Sequence, residues 1–268
     1  MISDLKQTSG LDLKLDTEKC QLSFGQGLGA PVPAARNIRE MQEVLLDTGI
    51  NEPQDLYYMY RDVHLVKDAP LLEENKLRYD VTVIKPDRLG RELMKTAGHY
   101  HPGSFGELYE VLAGEALCLL QKPNPADYHI IEDVILIRAN AGEKIVIPPG
   151  YGHILVNPGP GCLVTSNWVS SRFSSEYQLY KTAKGAAYFI LNAGPGDKIE
   201  YIKNTFFKQL PSVRFARPAK KIERFGLLDK SPIYPIITKE AIKLDFLNYP
   251  DKYEYRDIFD FIIEVKGP

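Results

Sequence analysis

The 268-residue sequence has little cysteine, no excess of one charge and no long apolar run. Its three cysteines, Cys20, Cys118 and Cys162, are odd in number, widely spaced and without a Cys-x-x-Cys pair, which argues against a disulfide framework and against a zinc ribbon. All three are expected to be reduced, with Cys118 and Cys162 packed on apolar strands. Lys and Arg number 33 against 35 Asp and Glu, a formal charge of −2, so there is no net field to attract nucleic acid or an anionic membrane. The compact basic run "RPAKKIER" at 217–224 reads as a solvated face. No window approaches the roughly 18 apolar residues that a spanning helix needs, and the start "MISDLKQTSG" lacks the apolar core of a secretion signal. A soluble, cytoplasmic protein with no nucleic-acid or membrane partner is expected.

What is present is ordinary globular material, 44% apolar and 10% aromatic, enough for a sizeable core. Three regions differ in texture. Residues 1–54 form an arm with one short helix, signalled by "ARNIREMQEVLLDTGIN", in which Ile38, Met41, Val44 and Leu45 fall at helical spacing and Gly49 offers a stop. Residues 55–192 change to strand runs such as "LRYDVTVIKP", "ELYEVLAGEALCLLQ", "HIIEDVILIRA" and "GCLVTSNWVS", cut by Gly and Pro. Short β runs at this spacing predict an all-β sandwich or small barrel. Residues 193–268 are rich in proline and aromatics ("DKSPIYPIITKE", "FLNYPDKYEYRDIF"), too apolar for a disordered tail and too short for a second large core. They are expected to wrap the barrel or line a subunit contact.

The sequence holds five histidines: His64, His99, His101, His129 and His153. His64 and His129 read as ordinary packed or solvent-facing residues. In an extended segment His99 and His101 project to one side, because side chains two apart share a face. Glu107 follows after the turn "PGSFG" and opens the next strand with Tyr109 on its own face. In "GEKIVIPPGYGHILVN", His153 comes just after a Pro-Pro-Gly turn, with Asn157 beyond it. Three neutral imidazoles and one carboxylate make a borderline ligand set that suits Fe(II), Mn(II), Ni(II) or Zn(II) and leaves two positions open on an octahedral ion. On the residues alone, the His-x-His pair reads equally well as two ligands or as two turn histidines.

The strings "HYHPGSFGELYEVLAG" and "GEKIVIPPGYGHILVN" resemble the two motifs of the cupin superfamily, His-x-His-x5-Glu-x6-Gly and Gly-x5-Pro-x-Gly-x2-His-x3-Asn. Leu93 stands where the first motif has a glycine, and the gap before Glu107 is a residue or two longer than usual. More narrowly, "YDVTVIKPDRLGRELMKTAGHYHPGSFGELYEVLAGEALCLLQ", "IVIPPGYGHILVNPG" and "SSEYQLY" resemble the cupin-type glucose-6-phosphate isomerases of archaea and some bacteria, over roughly residues 35–190. The resemblance implies a cupin jelly-roll barrel with a short N-terminal helix and a C-terminal extension. It also implies a homodimer with one divalent ion per subunit, Fe(II) or Mn(II) first, held by His99, His101, Glu107 and His153.

The implied activity is the metal-dependent interconversion of glucose 6-phosphate and fructose 6-phosphate, a step of glycolysis and gluconeogenesis. Thr82, Thr96 and the backbone of Gly98 would bind the phosphate, and Tyr109, Tyr177 and Tyr57 would line the sugar site. Glu107 would be the base of a cis-enediol route with Tyr109 as relay, a direct hydride shift being the other route. The family's "GHDY" is "SSEY" here, so Ser175 replaces a histidine, and another site tyrosine falls near Trp168 or Val169. Two other readings use the same residues: a cupin dioxygenase or decarboxylase on the same three-histidine, one-glutamate set, and a non-catalytic sugar-binding cupin.

Overall fold

Glycine and proline turns divide the chain into short strands, which pair into two facing sheets and a small N-terminal meander. The computed structural model describes residues 1–192, 199–228 and 230–262; most of the "NAGPGDK" turn and the last six residues lie outside them. The N-terminal arm contributes β1 (Ile2–Asp4), β2 (Leu13–Asp16), β3 (Gln21–Phe24) and β4 (Ala34–Asn37). Next come β5 (Asp55–Tyr60), β6 (Leu77–Ile84), β7 (Arg88–Leu89), β8 (Glu92–Lys95), β9 (Glu107–Ala113) and β10 (Glu115–Pro123). They are followed by β11 (Ile131–Asn140), β12 (Lys144–Ile147), β13 (Gly152–Asn157), β14 (Leu163–Ser170) and β15 (Tyr188–Asn192). The C-terminal segment adds β16 (Ile199–Lys203), β17 (Arg214–Pro218) and β18 (Phe259–Phe261).

One sheet runs β12-β9-β14-β6-β5-β4 and the other β16-β15-β8-β13-β10-β11-β17-β18, with β7 beside β8. All pairs are antiparallel except β11 with β17. From β11 to β14 each successive strand changes sheet, the connection pattern of an all-β jelly-roll barrel, as expected.

The inner face of the first sheet carries polar side chains and the outer face apolar ones. On β6, Arg78, Asp80 and Thr82 alternate with Leu77, Tyr79 and Val81, since successive side chains point to opposite faces. Tyr79 and Trp168 would lie open on the outer face, but the C-terminal segment covers them. Tyr234 packs edge-on to Tyr79 at 5.1 Å and stacks on Trp168 at 5.7 Å, and Trp168 Nε1 donates to Ile233 O. Burying aromatic rings of this size is worth roughly 2–3 kcal/mol each, which gives the segment a reason to stay on the barrel.

Two expectations need correction. The expected short helix ends well before Gly49: Asn37 and Glu40 form a capping box over Ile38–Met41, a 3-10 turn follows at Gln42–Val44, and Leu45 is already extended. Ile38, Met41, Val44 and Leu45 are all buried as their spacing predicts, but Leu46 N donates to Glu92 Oε2 at 2.7 Å instead of continuing the helix, so Gly49 stops nothing. The cysteines also differ. Cys20 and Cys162 are joined in a disulfide with their Cα atoms 6.0 Å apart, and only Cys118 is free, buried on β10. The partners lie 142 residues apart, and spacing says nothing about a pairing made when the β2–β3 turn is laid beside the start of β14.

Candidate metal centre and substrate cavity

Backbone constraints position the four motif residues. His99 and His153 are tied by reciprocal amide bonds, His99 N to His153 O at 3.3 Å and His153 N to His99 O at 3.1 Å. β13 in turn pairs with β10, so this bridge is anchored in the second sheet. Glu107 opens β9 in the first sheet, opposite Ile147 of β12 and Val169 of β14. His101 Nδ1–H donates to Phe105 O at 3.2 Å, which leaves Nε2 pointing inward.

The side chains converge on one point. The donor atoms of His99, His101, Glu107 and His153 all lie within 4.8 Å of one another. Glu107 Oε2 is 3.1 Å from His153 Nε2, 3.3 Å from His101 Nε2 and 3.9 Å from His99 Nε2, while the His99 and His101 Nε2 atoms are 3.2 Å apart. Ligands of one first-row ion, with bonds of about 2.1 Å, sit roughly 3.0–3.4 Å from each other. Glu107 Oε2 is buried with no well-directed hydrogen bond, although Oε1 accepts one from Asn167 Nδ2 at 2.6 Å. A buried carboxylate oxygen left facing three imidazoles fits a cation between them.

The electrostatics agree with that fit. Burial, with the neighbouring imidazoles, pushes His99 well below the ordinary histidine range, and burial also lowers His153, so both are neutral donors. Burial opposes ionisation of Glu107, but the close approach of His101 and His153 outweighs it and holds the carboxyl well below its usual value. Tyr109, whose hydroxyl is 3.3 Å from His153 Nε2, is pushed well above the ordinary tyrosine value by burial and by the Glu107 charge. It keeps its proton at any ordinary pH.

His99 and Glu107 of the cluster open onto a cavity of about 280 Å³ whose walls also include Tyr109, Thr82, Thr96, Gly98, Tyr57 and Tyr177. Tyr177 arrives because Tyr100 and Glu176 exchange backbone hydrogen bonds, which brings its ring centroid to 5.5 Å from that of His99. Tyr57 OH accepts from Ala97 N at 3.2 Å and holds the strip that carries Gly98. Gly98 has φ +78°, and a Cβ there would come within 2.5 Å of Ile154 and 2.6 Å of Tyr180. Its glycine is therefore required by packing behind the strip as much as by approach from the cavity. Phe173 stacks on Phe105 at 4.8 Å and lies 4.5 Å from His101, walling one side with carbon.

Val169 lines the cavity and Trp168 points away from it into the outer core. Ser175 also reaches the wall. Leu93, at the motif's glycine position, is buried on β8. Asn157 is not part of the site: its amide donates to Ile84 O, Lys85 O and Gly161 O and pins a turn. His64 and His129 engage Asp62 and Asp127 near the surface. Sequence reasoning missed Asn167, Asp80, Arg61 and Arg78, all on the cavity wall. Period-two alternation from Thr82 and from Val169 picks out Arg78, Asp80 and Asn167, but not what they face.

The sequence model of the glucose-6-phosphate isomerase family matches residues 35–205, more than half of the chain. The chain belongs to the glucose-6-phosphate isomerase family. It is 32% identical over 87 residues to the glucose-6-phosphate isomerase of Thermococcus gammatolerans, covering 32% of this chain and 42% of that one. The match to the enzyme of that name from Thermococcus kodakarensis is 25% identical over 162 residues, covering 58% and 75%. The chain thus spans less than half the length of the first curated isomerases it matches. Among solved structures, an oxalate oxidase aligns with a TM-score of 0.36 at 19% identity, over 50% of this chain and 61% of that one. Hazelnut (Corylus avellana) vicilin aligns with 0.35 at 15%, over 45% and 32%. Among the described residues no helix is long and apolar enough to cross a membrane.

Proposed function

We propose that the chain is a metal-dependent aldose–ketose isomerase that interconverts glucose 6-phosphate and fructose 6-phosphate. The observation that carries this reading is that two members of the four-donor cluster, His99 and Glu107, line one cavity with the candidate phosphate residues Thr82, Thr96 and Gly98. His99, His101, Glu107 and His153 would hold one divalent cation, Fe(II) or Mn(II) first, with Ni(II) and Zn(II) also suited to the donor set. When bound, such an ion supplies Lewis-acid polarisation of the substrate oxygens.

The chain's own groups have distinct tasks. Gly98 N–H makes no hydrogen bond among the described residues, and the Thr96 hydroxyl, which accepts from Leu155 N at 3.0 Å, retains its proton for donation. With Thr82 they offer neutral donors to phosphate oxygens. Tyr177 closes the cavity beside the sugar. An enediol route requires a base at the C2 proton, and Glu107, held ionised, is that base. Tyr109 keeps its proton, so it acts as a donor toward a sugar oxygen rather than as a second base. A hydride shift would leave both as positioning groups. The carbon wall of Phe173 and Phe105 limits water at the reacting end.

Residues 55–192 would form the catalytic unit, two copies would associate as a homodimer, and the cytoplasm would be the working compartment. A disulfide is uncommon in a reducing cytoplasm, so the state of Cys20 and Cys162 in cells tests that last assignment. For the activity, the metal is stripped with a chelator, each of the four ions is restored in turn, and fructose 6-phosphate conversion is followed in a coupled assay. Turnover should return with at least one ion. No turnover with any of them would remove the isomerase reading.

A further inference from the structure

We propose that Arg61 and Arg78, held by Asp80, form a second anion-binding locus in the cavity, which takes the far phosphate of a hexose phosphorylated at both ends. The inference rests on the isomerase reading for the position of the first phosphate. Asp80 is nearly fully buried, with 4% of its side chain exposed. Its carboxylate accepts from Arg61 Nη1 at 2.9 Å, from Arg78 Nε at 2.9 Å and from Asp62 N at 2.9 Å. One guanidinium would already neutralise it. The second leaves an excess of one positive charge in the group formed by Asp80 and the two arginines.

The free donors are the ones an anion needs. Among the described residues, the two terminal nitrogens of Arg78 and Nε of Arg61 make no hydrogen bond, and both side chains line the same cavity as His99 and Glu107. A guanidinium fork with its terminal nitrogens unused matches phosphate oxygens in a two-point contact.

Register puts the locus at the opposite end from Thr82. Val169 of β14 pairs with Glu107 on one side and Arg78 on the other, so Arg78 is level with the donor cluster across the sheet. Thr82 is four residues along the same strand and the same face, roughly 13 Å from Arg78 at the Cα atoms. A hexose with its 6-phosphate at Thr82, Thr96 and Gly98 and its carbonyl end at Glu107 therefore directs a 1-substituent toward the arginines.

Calorimetric titration of the metal-loaded full chain with fructose 1,6-bisphosphate and with fructose 6-phosphate tests this. Wild type should bind the bisphosphate more tightly. The double change Arg61→Gln and Arg78→Gln should lower the ratio of the two association constants about tenfold or more, the worth of one to two charged hydrogen bonds. Arg78→Lys keeps a charge beside Asp80 while removing the fork, and should lower that ratio in the same direction with unfolding temperature preserved. Thr82→Val with Thr96→Val should weaken both ligands alike. Equal affinity of wild type for the two sugars, or a ratio unmoved by the arginine changes, overturns the inference. Arginine-dependent binding of the bisphosphate in a protein that never turns over fructose 6-phosphate leaves it standing and removes the isomerase reading instead.

Discussion

Asn167 Nδ2 donates to Glu107 Oε1 at 2.6 Å, so the protein fixes one carboxylate oxygen while the other, Oε2, is left to the three imidazoles. Asn167 and Glu107 are 60 residues apart and meet because β14 and β9 are neighbours. The bond sets the rotation of the carboxylate and with it the direction of Oε2.

Asn167→Ala should therefore lower metal affinity, activity or both by roughly 10–100-fold, the usual cost of losing a partner that orients a ligand. Metal content after dialysis, together with the coupled assay, checks this. Full metal retention and full activity in the variant would show that Glu107 is held by other means.

His153→Ala should abolish metal retention and turnover together while the circular dichroism spectrum stays that of a β protein. His153 is 1% exposed and at the centre of the cluster. Activity that survives with metal still bound would exclude His153 as a ligand.

Glu110 lies on the outer face of β9, where burial pushes its carboxyl up to about 8 despite Lys144 at 3.5 Å. The unfolded chain ionises at the ordinary value of 4.5, whereas folded Glu110 keeps its proton to about 8. Its stabilising contribution is thus fully present below about pH 4.5 and lost as pH rises through about 8. Urea unfolding across this window should show falling stability in wild type and a flatter profile in Glu110→Gln, which keeps an acceptor for Ile233 N. Parallel profiles in the two proteins would assign the pH dependence to other groups.

The Cys20–Cys162 bridge ties the N-terminal meander to the barrel. Thiol titration of denatured protein should count one thiol without reductant, from Cys118, and three after reduction. Cys162→Ser should cost about 2–4 kcal/mol, read as a lower urea midpoint. Three thiols in the unreduced protein would rule the bridge out.

Gly98→Ala should destabilise the metal-free protein by roughly 1–3 kcal/mol, from the left-handed backbone and the collision with Ile154 and Tyr180. Thermal unfolding reads the loss. An unchanged midpoint would mean that the strip before His99 shifts freely.

It was the resemblance to the cupin motifs that joined the His-x-His pair, Glu107 and His153 into one set, but local chemistry made them candidates, since alternation fixes which side chains share a face and glycine and proline mark the reversals. The strand runs of the barrel were legible for the same reason. The short helix was legible in its buried face but not in its stop, since the hydrogen bond from Leu46 to Glu92 that takes the chain out of it comes from a strand 46 residues away. The Cys20–Cys162 bridge left no trace in spacing.

The sequence by itself determined an all-β sandwich or small barrel and, through its resemblance to known motifs, the expectation of a jelly roll with four candidate donors on two turns. Only the tertiary structure decided that four donors point at one place, that Asn167 orients Glu107, that Asp80 gathers two arginines into the same cavity, and that Tyr234 covers Trp168. The division has one physical cause. Alternation and turn chemistry act between residues a few positions apart, whereas the partners of a side chain on an inner or outer face depend on which strands the sheets bring side by side.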